Sequence, residues 1–426
     1  MMSKYLIIGG SAGGIGAVEA IRRLDNDGKI SLISEEPYQP YSRPMISDFL
    51  AGEATFDKMQ FRPSDFWVKN KVKPILGRRV TSIDFDNRVV KIKESNEISF
   101  EKLLISTGGK PFVPPIDGSE KDGVYTFTNL SDAQLIKERI ADVKDVVVIG
   151  GGLIGVSITE ALLKLNKKVT LVELKDNILN LILDKTAAGF VEESMKKSGV
   201  NVLTDVSVEK ILGRDSDDEK VGAVILTDGC KIACDLVIVA IGVVPRMELV
   251  EKSKVKTNRG ILVDEYMATN VSGVFACGDV VEAYDFIVKE NRVLALWPLA
   301  YLGGRTAGIN MVGSKAEYPG GTVMSALKYF NVPIISVGLI NPDNQNKTYD
   351  VITTLDHDNK VYKKLILKDD KLLGLTLVGD IEKAGIYYNL MKENINLRKY
   401  KENLVSEEFG LAHLPRYYVS ELLKGS

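Results

Sequence analysis

"DVVVIGGGLIGVSITEALLKLNKKVTLVELK", Asp145 to Lys175, contains one complete phosphate-binding device. Val146–Ile149 reads as a short apolar strand, and Gly150, Gly152 and Gly155 follow in G-x-G-x-x-G spacing. They open a helical pattern that runs to about Leu165; a second strand, Val169–Val172, then ends in Glu173. Glycines here allow a tight turn and let a pyrophosphate rest on the helix N-terminus, where free N–H groups and the helix dipole favour anions. A carboxylate at the end of the second strand accepts hydrogen bonds from a ribose 2'-hydroxyl and repels a 2'-phosphate. Gly150, Gly152, Leu153, Ile154, Gly155 and Glu173 are therefore candidate ligands of NAD. With Lys175 the nearest cation and no arginine close by, NADH is expected over NADPH.

The same device occurs near the start of the chain. "KYLIIGGSAGGIGAVEAIRRL", Lys4 to Leu24, gives a strand over Tyr5–Ile8, a glycine turn and a helical pattern from about Gly13. "KISLISEEP" supplies the second strand, so the whole is a β-α-β unit of about thirty residues. Here Gly9 and Gly14 hold the outer positions of the fingerprint and Ser11 the middle one, which still permits close backbone approach. Glu35 or Glu36 is placed to bind a ribose hydroxyl. Two dinucleotides in one chain suggest one that stays and one that exchanges. A tightly held flavin with a diffusible nicotinamide is the simplest pair.

Composition narrows the class. The chain has 426 residues and a net charge of -2, from 55 Lys+Arg against 57 Asp+Glu, which argues against a nucleic-acid partner. Three cysteines cannot frame a chain of this length, and a reducing, cytoplasmic setting is expected. The opening "MMSKYLIIGG" lacks the pattern of a secretory signal. No run reaches the ~20 apolar residues of a membrane span, so no membrane partner is expected. Cys230 and Cys234 flank a strand in a spacing that completes no metal site, so no metal is expected.

With both glycine loops in place, the chain resembles the FAD-dependent pyridine nucleotide-disulfide oxidoreductase superfamily along essentially its whole length. "KLLISTGGKPFVPPIDG" is similar to the segment where the family's chain leaves the FAD domain, and the resemblance places Thr107 and Gly108 beside FAD. "LVIVAIGVVPRMEL", with Gly242 and Pro245, resembles the returning segment, and Gly242 joins the NAD candidates. "ATNVSGVFACGDVVEA" resembles the second FAD motif, whose Asp279 would hydrogen-bond the ribityl chain. In "WPLAYLGGRTAGINMVG", Trp297 to Ala300 would pass close to the isoalloxazine, with a Gly303–Gly313 helix behind. The resemblance implies an α/β fold with two Rossmann-like, glutathione reductase-like dinucleotide-binding domains and a small α+β C-terminal domain. The FAD domain would comprise 1–115 and 246–318, the NAD domain 116–245, and a C-terminal domain of dimerisation type 319–426. A homodimer is expected on that ground. Asp369-Asp370 marks a hairpin tip, and a helical stretch is expected over about Ile381 to Asn394.

The segment "EEPYQPYSRPMISDFLAGE", Glu35 to Glu53, separates the branches of the family. Some branches carry a reactive cysteine pair, or a single cysteine where Pro44 stands; this segment has no thiol. "PYSRPMIS" instead resembles the rubredoxin and ferredoxin reductases, the flavin part of nitrite reductases, and NADH oxidase-like relatives without a redox-active cysteine. The resemblance puts Arg43 on the FAD pyrophosphate, Glu35 and Glu36 on the adenosine ribose, Arg79-Val80 by the adenine, and Gly9, Ser11, Ala12, Gly13 and Gly14 under the phosphates. Two positions depart from the relatives. Asp48 stands where many have a lysine near the flavin, and Ser157 where many have a glutamate reaching the nicotinamide. No residue is singled out as catalytic; Trp297, Asp48 and Ser157 are placed near flavin or nicotinamide.

These readings imply an FAD-dependent NAD(P)H oxidoreductase that passes electrons from NADH through flavin to a rubredoxin- or ferredoxin-like carrier or a small acceptor. Two alternatives stay open. One is an NADH oxidase or coenzyme A-disulfide reductase-like enzyme, which Pro44 disfavours in its second form. The other is a flavoprotein electron-relay subunit of a larger redox complex.

Overall fold

A computed structural model of the chain describes residues 2–93, 96–342, 348–406 and 408–414. The chain forms two compact units. One comprises Met1–Phe112, Thr128–Lys137 and Gly242–Gly321, the other Val113–Phe127, Glu138–Ile241 and Thr322–Ser426.

The first unit is built on a sheet in which Val72–Ile75, Ile30–Ile33, Met2–Ile8, Asn96–Ile105 and Val274–Ala276 lie side by side in that order, all parallel. Val89–Ile92 and Val80–Asp84 extend it antiparallel. Parallel strands covered on both faces read as unbroken apolar runs; all four residues of Ile30–Ile33 are buried. Leu6, Ile7, Leu32 and Leu104 are fully enclosed, each stabilising by roughly 1.5–3 kcal/mol relative to exposure. The helix Ala12–Leu24 lies along the helix Trp297–Met311, and their backbones approach closely. A β-carbon at Gly304 would sit 1.9 Å from the Gly13 carbonyl oxygen, and one at Gly308 2.7 Å from that of Ala17. The second helix begins at Trp297, six residues ahead of the Gly303 start read from the sequence. Its early proline, Pro298, is the reason: at a first-turn position it removes an N–H that has no partner there.

Gly109–Pro111 and Val243–Pro245, the stretches read as the chain's exit from and return to the FAD domain, pair antiparallel within this unit. The pairing continues at both ends, with the Arg246 N–H donating to the Gly108 oxygen at 2.9 Å and that of Phe112 to Gly242 at 3.0 Å.

The second unit repeats the strand order. Asn201–Leu203, Lys168–Val172, Asp145–Ile149, Leu236–Val239 and Val124–Thr126 form a wholly parallel sheet. Leu153–Lys164 and Lys185–Lys197 are its helices. The C-terminal part is an antiparallel sheet ordered Met324–Tyr329, Val332–Gly338, Lys371–Val378, Val361–Lys368, Asp350–Asp356, followed by the helix Ala384–Lys392. Asp369 and Asp370 form its tight turn, both at positive φ. One core joins this sheet to the unit: Phe330, Ile334 and Tyr362 pack with Val156, Phe190 and Met195. The three-domain division expected from the sequence is finer than these two units, and residues 415–426 of its last domain lie outside the described residues. Among the described residues no helix is long and apolar enough to cross a membrane, and no group of three His, Cys, Asp or Glu could hold a metal ion.

Candidate functional site: two glycine loops

In the second unit the three fingerprint glycines face three different surroundings. Gly150 has φ +107, and a β-carbon there would lie 2.6 Å from the Ala240 oxygen. One at Gly155 would lie 1.8 Å from the Gly150 oxygen, so this glycine lets the helix close on the loop. At Gly152 nothing of the protein stands within 4 Å of that position. Two glycines thus serve the turn and the packing, and the middle one leaves an open side for a ligand to approach. Gly152 is also the helix N-cap, without a side chain to satisfy the first turn. Leu153 and Ile154 lie in that first turn, half-buried. Glu173 is buried, and its carboxylate is shared by two backbone donors: the Gly151 N–H at 2.6 Å and the Lys175 N–H at 2.8 Å. Each oxygen keeps a lone pair free for a further donor such as a ribose hydroxyl. The Leu179 N–H, on a residue at φ +53, donates to the Gly151 oxygen at 2.8 Å and holds the loop from its other side. Gly242, at φ +116, also has nothing within 4 Å of its missing β-carbon.

The first unit builds its loop on the same plan. Gly9 (φ +118) would place a β-carbon 2.1 Å from the Ser106 oxygen, and Gly14 one 2.0 Å from the Gly9 oxygen. Ser11, the middle residue, is the N-cap of Ala12–Leu24, and its side chain makes no capping hydrogen bond. At Gly13 a β-carbon would meet the Cys277 sulfur at 2.8 Å and the Ala300 oxygen at 3.3 Å. Gly13, Cys277 and Ala300 are therefore neighbours. Thr107 donates its hydroxyl to the Arg246 oxygen at 2.9 Å, and Gly108, at φ +69, is open on its β-carbon side. Val80 is buried at the start of its strand.

The acidic and basic candidates form two clusters in this unit. Arg43 pairs with Glu36 and donates to the Thr128 oxygen at 3.0 Å. The Tyr41 hydroxyl donates to the other Glu36 oxygen at 2.5 Å and accepts from the Leu130 N–H at 2.9 Å. Burial pushes the Asp279 carboxyl above its ordinary range, and the positive charge of Arg43 nearby opposes this. Glu35 is exposed and pairs with Arg246 at 2.5 Å and Arg79 at 3.7 Å. Trp297 packs edge-on against Phe61, centroids 4.2 Å apart, and the Arg62 guanidinium lies 3.8 Å over the other ring system, that of Phe61. The indole N–H of Trp297 is buried without a partner in the protein, as a donor waiting for a ligand acceptor would be. Asp48 is half-buried in the short helix Ile46–Ala51. Ser157 lies near the Tyr329 hydroxyl and opposes the rise that burial gives its pKa.

Several of these partners carry no sequence signal. Thr128 and Leu130 lie some ninety residues from Arg43 and Tyr41, and Arg246 was passed over in favour of its neighbour Pro245. Tyr329 lies outside any motif. Two of the three thiols stand away from solvent. Cys277 and Cys234 are buried, and burial raises both, Cys234 to about 12; exposed Cys230 is raised by Asp228.

Residues 3–304 match the family model "Pyridine nucleotide-disulphide oxidoreductase", and residues 324–395 match "Rubredoxin NAD+ reductase C-terminal domain". The chain belongs to the pyridine nucleotide-disulphide oxidoreductase family, and it is an FAD-dependent NAD(P)H oxidoreductase using FAD and NAD(H). It is 29% identical over 408 residues to the NADH-dependent phenylglyoxylate dehydrogenase subunit epsilon of Aromatoleum evansii, covering 95% of each chain. It is 27% identical over 404 residues to the NADH-rubredoxin oxidoreductase of Clostridium acetobutylicum, covering 95% of this chain and 97% of that one. Among solved structures, a NAD-dependent persulfide reductase from A. fulgidus superposes with a TM-score of 0.87 at 27% identity, over 100% of this chain and 83% of that one. Two relatives from Bacillus subtilis are longer; the chain spans 49% and 48% of them.

Proposed function

We propose that this chain takes electrons from NADH and delivers them to a small one-electron carrier protein of the rubredoxin or ferredoxin kind. The observation that carries the reading is the placement of the thiols. Family members that reduce disulfides or peroxides need a thiolate, and a thiolate requires exposure and a lowered pKa. Here Cys277, the cysteine beside the first glycine loop, is buried and raised, and Pro44 occupies the position where a catalytic thiol would stand. When bound, FAD accepts a hydride from NADH and can release electrons one at a time.

The chain's own residues supply position and charge. Gly9, Ser11, Ala12, Gly13 and Gly14 present helix N–H groups to the FAD pyrophosphate, and Arg43 adds a planar guanidinium able to grip two phosphate oxygens. Glu35 and Glu36 hold the adenosine ribose, Val80 walls the adenine, and Thr107, Gly108, Asp279, Trp297 and Ala300 line the flavin end. Gly150, Gly152, Leu153, Ile154 and Gly155 seat the nicotinamide dinucleotide, with Glu173 on its ribose; Gly242 is the remaining NAD candidate. Trp297 and Asp48 at the flavin, and Ser157 on the nicotinamide loop's helix, serve position rather than proton exchange. The protein works in the cytoplasm, as a homodimer.

Rapid mixing with NADH should bleach the visible flavin band, and added rubredoxin or ferredoxin should restore it faster than dissolved oxygen alone. Equal reoxidation with and without carrier would make the protein an NADH oxidase instead. A second reading rests on the full-length match to a subunit of a multi-component dehydrogenase: the chain serves as the electron-relay subunit of a larger complex. Native mass measurement on the purified endogenous protein separates the two, a stable heteromer favouring the relay.

A further inference from the structure

The turn between Met324–Tyr329 and Val332–Gly338 reaches into the helices of the second glycine loop's own unit. Phe330 and Asn331 both adopt positive φ, the geometry of a tight two-residue hairpin turn that matches strand twist. The tip is held on every side. The Phe330 N–H donates to the Glu160 carboxylate at 3.1 Å, its carbonyl accepts from the Ser194 hydroxyl at 2.7 Å, and its ring is buried. Glu160 lies on Leu153–Lys164 and Ser194 on Lys185–Lys197, so the turn is wedged between these two helices.

This fixes the neighbouring Tyr329 against the first turn of the Leu153–Lys164 helix. Its hydroxyl donates to the Leu153 carbonyl at 3.1 Å, and Ser157, one turn further along, lies close enough to pull the phenol's pKa down against the effect of burial. A phenol has one proton; with that proton on Leu153, Ser157 can approach Tyr329 only as a donor, the sense in which it lowers the phenol's pKa. Burial pushes the phenol up to about 12, so the arrangement is constant across the physiological range.

The first turn of this helix has no capping side chain, and Tyr329 steadies it in another way, as a donor to its carbonyl rather than an acceptor for its free N–H groups. A helix N-terminus leaves its first N–H groups without intrahelical partners and frays unless a side chain caps it. The N-cap here is Gly152, which has no side chain to offer, because a side chain would fill the open space on the loop. The feature that admits a ligand therefore removes the usual cap.

We propose that Tyr329 is the positioning residue of the nicotinamide-dinucleotide site: through Leu153 and Ser157 it holds the uncapped first turn in the geometry that the pyrophosphate binds. It touches neither dinucleotide. The inference rests on the reading of Gly150–Gly155 as the NAD loop. It assigns part of that site to the C-terminal sheet, so the sheet that carries the rubredoxin reductase-type match also sets NADH affinity.

The test is calorimetric titration of NAD+, which binds without reducing, into the FAD-loaded protein. Tyr329→Phe keeps the ring and its packing and removes only the hydroxyl. It should weaken NAD+ binding about 3- to 10-fold, the span of one lost net hydrogen bond, and raise the KM for NADH while leaving kcat within about twofold. Ser157→Ala should weaken NAD+ binding by a similar factor, and the double variant should fall short of the product of the two, since both hydroxyls belong to one bridge. FAD content and the melting temperature report folding, and Ser157→Ala gives the same readout should Tyr329→Phe fail to fold. Hydrogen exchange with and without NAD+ separates the two ways of failing. Protection outside 150–157 in the unaltered protein removes the loop reading and this proposal with it. Protection at 150–157 with unchanged affinity in both variants overturns this proposal alone.

Discussion

Arg43, proposed above for the FAD pyrophosphate, is also tied into the protein. Its guanidinium pairs with Glu36 and reaches the Thr128 carbonyl, so the same residue joins the loop after the second strand to a segment far along the chain. Arg43→Ala should therefore lower FAD affinity by about 10- to 100-fold, the worth of charge-assisted hydrogen bonds to phosphate, read as flavin lost on desalting. A retained, tightly bound flavin would move the phosphate contact elsewhere. The thiols give a second prediction. The native protein should react with a thiol reagent at Cys230 alone, slowly, and at all three cysteines after denaturation, because Cys234 and Cys277 are buried. At this scale the sequence was legible where chemistry is tied to a fixed local spacing. Gly150, Gly152, Gly155 and Glu173 stand within one β-α-β unit, and backbone geometry alone brings Glu173 to the Gly151 N–H. Tyr41, Thr128 and Tyr329 were not legible, since each meets its partner through tertiary packing that no short spacing encodes.

Among the helices, Lys185–Lys197 shows an element anchored by one half-buried acid. Asp184 caps it, accepting the Ala187 N–H at 2.9 Å, and its other oxygen receives the Tyr362 hydroxyl and the Lys364 ammonium, each at 2.7 Å. Burial raises the carboxyl, but Lys364, the Ala187 N–H and Tyr362 outweigh it and hold the group below its ordinary 3.8. A depressed carboxyl stabilises the fold above the unfolded value, and the contribution is lost as pH falls through the folded one. Asp184→Asn should cost about 3 kcal/mol at pH 7, by leaving Lys364 buried without its counter-charge. The gap to the unaltered protein should close below about pH 4. Urea midpoints measured from pH 3 to 7 follow both; a gap independent of pH would show that the cap matters and the charge does not. The Trp297–Met311 helix offers a steric counterpart. Gly304→Ala puts a β-carbon 1.9 Å from the Gly13 carbonyl oxygen, and thermal unfolding should show a loss of about 2 kcal/mol from the forced backbone shift. Both parallel sheets could be read from their apolar runs because covered strands have no polar face. The helix was read from Gly303 onward and its first turns, from Trp297, were missed because Pro298 reads as a break, although a first-turn proline opens a helix; Gly304 and Gly308 are where two helix backbones meet.

For the molecule as a whole, the family, the two dinucleotide folds and the oxidoreductase class could be argued from sequence because two independent fingerprints recur in the same strand-turn-helix context. The acceptor could not, since a carrier recognises a surface and no motif records one. The dimeric state is open to a direct measurement: sedimentation should give a mass near twice that of the 46.8 kDa chain, and a monomer at micromolar concentration would remove the homodimer from the proposal.

The parallel pairing of Leu103 with Val274 also sets a timetable for synthesis. The first unit's strands up to Asn96–Ile105 emerge early, yet the strand that completes their sheet is made only after the long intervening stretch has left the ribosome. At about 5–20 residues per second, the apolar edge of Asn96–Ile105 waits on the order of ten to thirty seconds for its neighbour. Nascent chains arrested before Val274 should bind chaperones and fail to retain flavin, whereas chains arrested well beyond Met311 should hold it. The pairing of Gly109–Pro111 with Val243–Pro245, both of which are synthesised before Val274, would then act as the first clasp, shortening the loop that the last strand has to close.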